Sequence, residues 1–314
     1  MSGQSSLAIV IPAYKALYLA ETLASIAAQT NQDFTLYVGD DGSPHDLKSI
    51  CDIYATQLKL VYHRFPENLG AKQLVQHWKR CVELVQQEEW IWLFADDDLM
   101  EKDCVDVFYQ SLLQTQQQYD IYRFNSRVVN DQNQIIREHA DSPVVENAMQ
   151  LAWHLLRDER GNVMPDQIVR RATYKALGGY VDFPYAQASD WATAIHFAHP
   201  KGLYSMPGPK IRWRYSGSSI SSTAHHQAKE IIFGHLDFIE WITRYFNEAD
   251  ASRYGLSREQ ITEEAWRNLK RVMRDHYRGI PVSYVLPVAR RLQRTFHWGI
   301  LVTLVRAFRM TRTK

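Results

Sequence analysis

The apolar positions of the chain fall into short unbroken runs separated by amphipathic stretches. Leu7-Ala8-Ile9-Val10-Ile11 is apolar throughout and is stopped by Pro12, the pattern of a buried strand that cannot extend a central ladder beyond a proline. Residues 17–29 then place Leu19, Leu23, Ile26 and Ala27 at helical spacing. The unit repeats as strand 34–39 with helix 46–57, strand 58–63 with helix 71–87, and a fourth strand over 90–98. This alternation predicts an α/β fold, a mostly parallel sheet with right-handed crossovers and helices on both faces. All the strand-to-helix turns then share one sheet edge, where open sheets bind ligands.

The second half is less regular. Helix 101–118 leads to an alternating strand 119–129 and a hairpin return over 134–137. Helices are predicted over 146–156 and 166–177, the latter stopped by Gly178-Gly179, and over 189–198. A basic-aromatic strand 210–215 precedes a Ser/Gly loop 216–223. From 224 onward the pattern is helical, over 224–247, 257–277 and 283–311.

Three consecutive carboxylates, Asp96-Asp97-Asp98, follow directly on the apolar run 90–95. Adjacent negative charges at a strand end repel one another, and a divalent cation with a phosphate-bearing ligand is the simplest compensation. A solvated acidic turn capping the next helix is the plain alternative. Asp40-Asp41-Gly42-Ser43 forms a second acidic turn on the same expected edge.

Composition excludes several classes. A net charge of +1 over 314 residues gives no bulk attraction for nucleic acid. Cys51, Cys81 and Cys104 form no C-x-x-C pair, so neither a disulfide framework nor a zinc site is indicated, and they read as reduced cytosolic thiols. No G-x-G-x-x-G follows the first strand, which disfavours a dinucleotide dehydrogenase. The start does not read as a signal peptide, and there is no run of about 20 apolar residues. After Asp275 there is no acidic residue, while Arg278, Arg290, Arg291, Arg294, Arg306, Arg309, Arg312 and Lys314 accumulate. Residues 284–314 read either as an amphipathic basic helix lying on an anionic membrane surface or as one packing on protein.

Taken in order, Ile9-Val10-Ile11-Pro12-Ala13-Tyr14, Gly39-Asp40-Asp41-Gly42-Ser43, Asn68-Leu69-Gly70, Phe94-Ala95-Asp96-Asp97-Asp98, Gly178-Gly179-Tyr180, Ser189-Asp190-Trp191 and the segment from Trp213 to Ser221 resemble family 2 glycosyltransferases with the GT-A fold. The resemblance implies a GT-A domain over 1–222, with a nucleotide-binding half (1–100) and an acceptor half (101–222), and a helical C-terminal region over 223–314. It implies a metal-dependent, inverting transfer of sugar from a nucleotide-diphosphate sugar to a saccharide or polyprenyl-linked acceptor, in surface polysaccharide synthesis. Mn2+ or Mg2+ would sit on Asp98 and Asp97. Pro12, Ala13, Tyr14, Asp40, Asp41, Lys72, Asp96, Asp97 and Arg214 would bind the donor, with Arg212 and the loop after it closing over it. Asp190 would be the general base, with Ser189 as helix cap. His225 and His226 stand where a histidine in some GT-A enzymes completes the metal's coordination, although a surface role is the better reading for an isolated pair at a helix start. Ala95 departs from the family pattern, standing where many relatives carry the first aspartate, which leaves the division of labour within the triplet open. The expected setting is cytoplasmic, peripheral on the inner face of the plasma membrane, and compatible with an oligomer. Two alternatives keep the fold, a nucleotidyltransferase and a non-catalytic nucleotide-sugar-binding protein.

Overall fold

The computed structural model describes residues 6–217, 228–275 and 280–311. Strand β1 (Leu7–Ala13) lies between β2 (Phe34–Asp40) and β4 (Trp90–Leu93), parallel to both, and β3 (Leu60–Arg64) extends this half, parallel to β2. Helices α1 (Leu19–Ala27), α2 (Leu47–Tyr54) and α3 (Leu74–Val82) make the crossovers. Then follow β5 (Leu99–Met100), α4 (Cys104–Gln114), β6 (Ile121–Val129), β7 (Ile135–Glu138), β8 (Val145–Glu146), α5 (Ala148–Leu156), β9 (Gln167–Arg170), α6 (Arg171–Ala176), α7 (Ser189–Ala198) and β10 (Leu203–Arg214). The strands form one ten-stranded sheet in the order β3-β2-β1-β4-β9-β6-β10-β5, with β7 paired to β6 and β8 to β10. Five helices complete the described chain: α8 (Ala228–Tyr245), α9 (Glu248–Tyr254), α10 (Arg258–Asp275), α11 (Val285–Phe296) and α12 (Ile300–Arg309).

The unbroken apolar runs are explained by burial on both faces. Leu7, Ile9, Ile11, Trp90 and Trp92 pack with Leu23 of α1, Leu47 of α2 and Phe108 of α4. Their neighbours Ala8, Val10, Ile91 and Leu93 point the other way, into a core shared with Val75 of α3, Leu155 of α5 and Ile195 of α7. That second core continues through Ile239 of α8 and Leu269 of α10 to Leu292 of α11 and Ala307 of α12. The C-terminal helices therefore share a core with the sheet. Among the described residues, no helix is long and apolar enough to cross a membrane.

Several predicted elements shift. Residues 166–177 are not one helix: Gln167–Arg170 is a strand, antiparallel to both β4 and β6, and only Arg171–Ala176 is helical. The β-branched pair Ile168-Val169 fits a gap whose flanking strands need ladder partners, and that demand overrides local helix preference. The strand expected over 210–215 begins at Leu203 and changes register between Met206 and Ile211, across Pro207-Gly208-Pro209, whose prolines hid its first half. The fourth strand stops at Leu93, so the carboxylates lie in the turn before β5. The helix expected over 283–311 is broken at His297, where φ is 55°, and Trp298 folds back to stack on Phe296 with ring centroids 4.5 Å apart.

Candidate active site

The edge at the C-terminal ends of β1, β2 and β4 gathers the acidic turns, and it treats their carboxylates very differently. Asp40 is fully buried and saturated. It accepts from the Ser43 amide (2.7 Å), the Tyr62 hydroxyl (2.5 Å) and Arg64 (2.7 Å). Asp41 accepts from the amides of Leu69 (2.9 Å) and Gly70 (3.0 Å) and from Arg80. Gly70 holds φ at 62°, a conformation that leaves its amide free to reach the carboxylate and that a side chain would strain. Beside this node His77 is neutral, because burial pushes its imidazole down to about 4, and its Nδ1 accepts from Arg80 (3.0 Å). Sequence reasoning gave both aspartates to the nucleotide. In the structure they hold the turn in shape, Asp40 from within the core and Asp41 as the strap between the β2 turn and the 67–70 turn.

Asp96 resolves its own part of the triplet. One oxygen accepts from the backbone amides of Tyr14 and Lys15, both at 2.8 Å, tying the end of β1 to the end of β4. The Ser43 hydroxyl donates to the Tyr14 carbonyl (2.6 Å) and fastens the same loop to the other acidic turn. Pro12 and Ala13 are ladder residues of β1, whereas Tyr14 is exposed at the rim. Lys15, which the sequence did not single out, places its ammonium 3.9 Å from Asp97. Lys72 is exposed on the short turn that follows Gly70.

Asp97 and Asp98 are short of donors. Asp98 is 0% exposed, accepts one bond from the Arg214 amide (2.7 Å), and leaves its Oδ2 buried with no hydrogen-bond partner. An ionised oxygen in that position is costly. Burial, reinforced by the neighbouring Asp97 charge, accordingly pushes the Asp98 carboxyl well up, and burial followed by Asp96 pushes Asp97 up to about 6. A hard cation is the partner that such oxygens lack. Among the described residues, no group of three or more His, Cys, Asp and Glu side chains is assembled to hold a metal by itself. An incomplete pair of this kind fits a cation that takes further oxygens from a phosphate-bearing ligand.

Arg214 is not where the sequence reading put it. Its guanidinium was expected to face a diphosphate, yet its side chain is wholly buried. Nε donates to the Asp97 carbonyl (2.9 Å), Nη1 to the Asp131 carbonyl (3.2 Å) and Nη2 to Glu21 (2.9 Å), and the plane lies 4.0 Å from the Tyr18 ring centroid. The antiparallel pairing of β5 with β10 brings it there. Arg214 fixes the backbone of the Asp97-Asp98 turn, with four of its five side-chain N–H donors spent on Asp97, Asn130, Asp131 and Glu21. Arg212 faces Glu101 at 3.6 Å instead. Of the loop after β10, residues 216 and 217 are described; His225 and His226 lie outside the described residues.

Asp190 reaches the same edge through β9. Because β9 runs antiparallel to β4, Gln167 lies level with the C-terminal end of β4, and its amide donates to the Asp190 carbonyl (3.4 Å). The approach to α7 is strained: Tyr185, Ala186 and Ala188 all have positive φ. Ser189 is not the cap, since its hydroxyl accepts from the Phe183 amide (3.1 Å). Asp190 is half-buried in the first turn of α7. Burial and the nearby Asp166 charge push its carboxyl up to about 7, against the lowering influence of backbone amides and of Asn162. Beneath it Asp166 is ion-paired with Arg123 at 3.1 Å. Trp191 packs edge-to-face on Phe238 of α8, 5.9 Å between centroids. Asn162, Asp166 and Gln167 escaped sequence reading because they sit in a connecting segment or in a strand whose partners are distant in sequence, and Arg80 because it reaches Asp41 from the last turn of α3 only through tertiary packing.

The edge thus pairs a donor-starved carboxylate turn with a separate aspartate whose carboxyl lies near neutrality. S. aureus TarS (residues 1–349) superposes with a TM-score of 0.66 at 14% identity, covering 92% of this chain and 81% of that one. The same protein in complex with UDP-GlcNAc gives a TM-score of 0.63 at 13% identity, over 92% and 81% of the two chains. At such identity the likeness establishes the fold, an α/β sheet of GT-A type with appended helices. Glycosyltransferase GlyG of Streptococcus pneumoniae serotype 4 (strain ATCC BAA-334 / TIGR4) is 27% identical over 107 residues, 34% of this chain and 35% of GlyG. The chain therefore matches about a third of that relative's length. The sequence profile of glycosyl transferase family 2 matches residues 8–174, more than half of the chain, and the protein belongs to that family.

Proposed function

We propose that the protein transfers a sugar from a nucleoside-diphosphate donor to a hydroxyl of a saccharide or polyprenyl-linked saccharide, with inversion at the anomeric carbon. The observation that carries this reading is the buried Asp98 Oδ2 without a partner, beside Asp97 and on the same sheet edge as Asp190. Asp98 and Asp97 would hold Mn2+ or Mg2+, which when bound neutralises charge on the departing diphosphate. Tyr14 and the strapped loop around it form the rim against which a nucleoside would lie. Asp190 accepts the proton of the acceptor hydroxyl as that oxygen bonds to the anomeric carbon, and the bond to the diphosphate breaks on the opposite face. A carboxyl held near 7 suits this task, because a base works best when its affinity for the proton matches the working pH. Inversion rests on Asp190 acting as a single base on the face opposite the departing diphosphate.

Uridine nucleotides are the first donors to try, since the related fold is known with UDP and with UDP-GlcNAc. The test is a thermal-shift screen of UDP-, GDP- and dTDP-sugars with and without manganese. A ligand at 100 times its Kd stabilises by about 2.7 kcal/mol, a shift that is easily read. Stabilisation that depends on manganese is expected; if no nucleotide stabilises the protein in either condition, the donor site is wrongly assigned.

A further inference from the structure

The last helix presents the wrong side to solvent. α12 packs on the protein through Thr303 and Ala307, both fully buried, and in part through Leu304, while Leu301 is 76% exposed, Val305 51% and Val302 46%. A helix of a globular protein normally buries its large apolar residues and exposes its polar ones. Here the arrangement is inverted, and the Thr303 hydroxyl is turned back onto the Ile300 carbonyl (2.8 Å). The companion helix α11 exposes Leu286 along with Arg290, Gln293 and Arg294. Arg290, Arg294 and Arg309 make no ion pair among the described residues, whereas Arg291 is taken up by Asp237 and Glu240. Charge is segregated as well. No Asp or Glu follows Asp275 although eight basic residues do, and a whole-chain charge of +1 leaves the preceding part net acidic.

We propose that the α11–α12 hairpin is a docking surface for an anionic lipid bilayer, α12 lying in the interface with Leu301, Val302 and Val305 among the acyl chains and the free arginines at the headgroups. Charge complementarity selects this occupant: a face made of exposed apolar residues and uncompensated arginines fits a negatively charged, apolar-cored surface. A second copy of the same hairpin would bring like charges together. The inference is independent of the sugar-transfer reading.

The test uses the full chain, sedimented with vesicles of phosphatidylcholine alone or mixed with phosphatidylglycerol. Binding to the mixed vesicles is expected to exceed binding to neutral ones by about tenfold or more, and to weaken with added salt. The double variant Leu301→Glu/Val305→Glu should abolish it, and Arg290→Gln/Arg294→Gln/Arg309→Gln should remove the preference for anionic lipid. Both variants should keep the wild-type unfolding temperature and nucleotide-dependent thermal shift, which separates this test from that of the donor site. Absence of sedimentation with either vesicle, or equal binding to both, would overturn the proposal. A lipid-free dimer that dissociates in the Leu301→Glu/Val305→Glu variant would assign the face to a second copy instead.

Discussion

Two acidic turns lie side by side on one sheet edge, and they differ in how well their carboxylates are served. At the end of β2, Asp40 and Asp41 are surrounded by amides, a phenol hydroxyl and two arginines. At the end of β4, Asp98 has one amide and an orphaned oxygen, and Asp97 has a lysine at 3.9 Å. Identical side chains in neighbouring turns are thus scaffold in one place and an unmet electrostatic demand in the other. Asp96 belongs with the first group although it sits in the second turn, since it is spent on the amides of Tyr14 and Lys15. Asp190 belongs with the second group, its donors insufficient to offset burial.

Substitutions should split along that line. Asp190→Asn is expected to lower kcat by about 10²–10⁴-fold with the donor-induced thermal shift unchanged, because a general base touches the chemistry and not the resting donor. A loss confined to donor affinity would move Asp190 out of the base role. Asp98→Asn should cost on the order of 10²–10³-fold in transfer. Its unfolding temperature without metal should be equal to or higher than wild type, since Asn keeps an acceptor for the Arg214 amide and removes a carboxyl that is costly to ionise in that buried place. A clear destabilisation of metal-free Asp98→Asn would place Asp98 with the scaffold carboxylates. Asp40→Ala should behave in the opposite way, losing roughly 2 kcal/mol of stability in urea unfolding as the Ser43 amide, Tyr62 and Arg64 lose their acceptor.

The smallest effect is one of pH. Asp190 is held at about 7 in the folded protein, above its ordinary value of 3.8, so the folded state binds the proton more tightly than the unfolded state. Its contribution to stability is fully present below about pH 4 and is lost as pH rises through 7. Activity should follow the reverse course, with kcat/KM falling about tenfold per pH unit below 7 as the base becomes protonated. Asp190→Asn should remove this part of the stability profile; an unchanged profile would show that another group titrates there.

Much of the nucleotide-side architecture could be read along the chain. Strand β1 is an apolar run that the structure carries through Pro12 to Ala13, β2 is apolar but for Thr35 up to the Asp40-Asp41 turn, and β4 runs on towards the Asp triplet; the parallel sheet with helices on both faces follows from them. β9 was legible only once its neighbours were known. Four residues with mixed signals become a strand because β4 and β6 leave a slot of that width. The C-terminal hairpin stands between these cases. Its amphipathic composition was plain, but its break at His297 and its outward apolar face depend on Trp298 packing back against Phe296 and Trp266.

By itself, the sequence determined which residue types stand at the site edge: strand pattern and turn chemistry are local, and parallel crossovers carry every turn to the same side of the sheet. It could not say which carboxylates are free. That depends on donors supplied from far away in the chain, by Tyr62 and Arg64 for Asp40, by Leu69, Gly70 and Arg80 for Asp41, by Tyr14 and Lys15 for Asp96, and by one amide of Arg214 for Asp98. Hydrogen-bond saturation is a property of the assembled edge, and only the tertiary structure decided it.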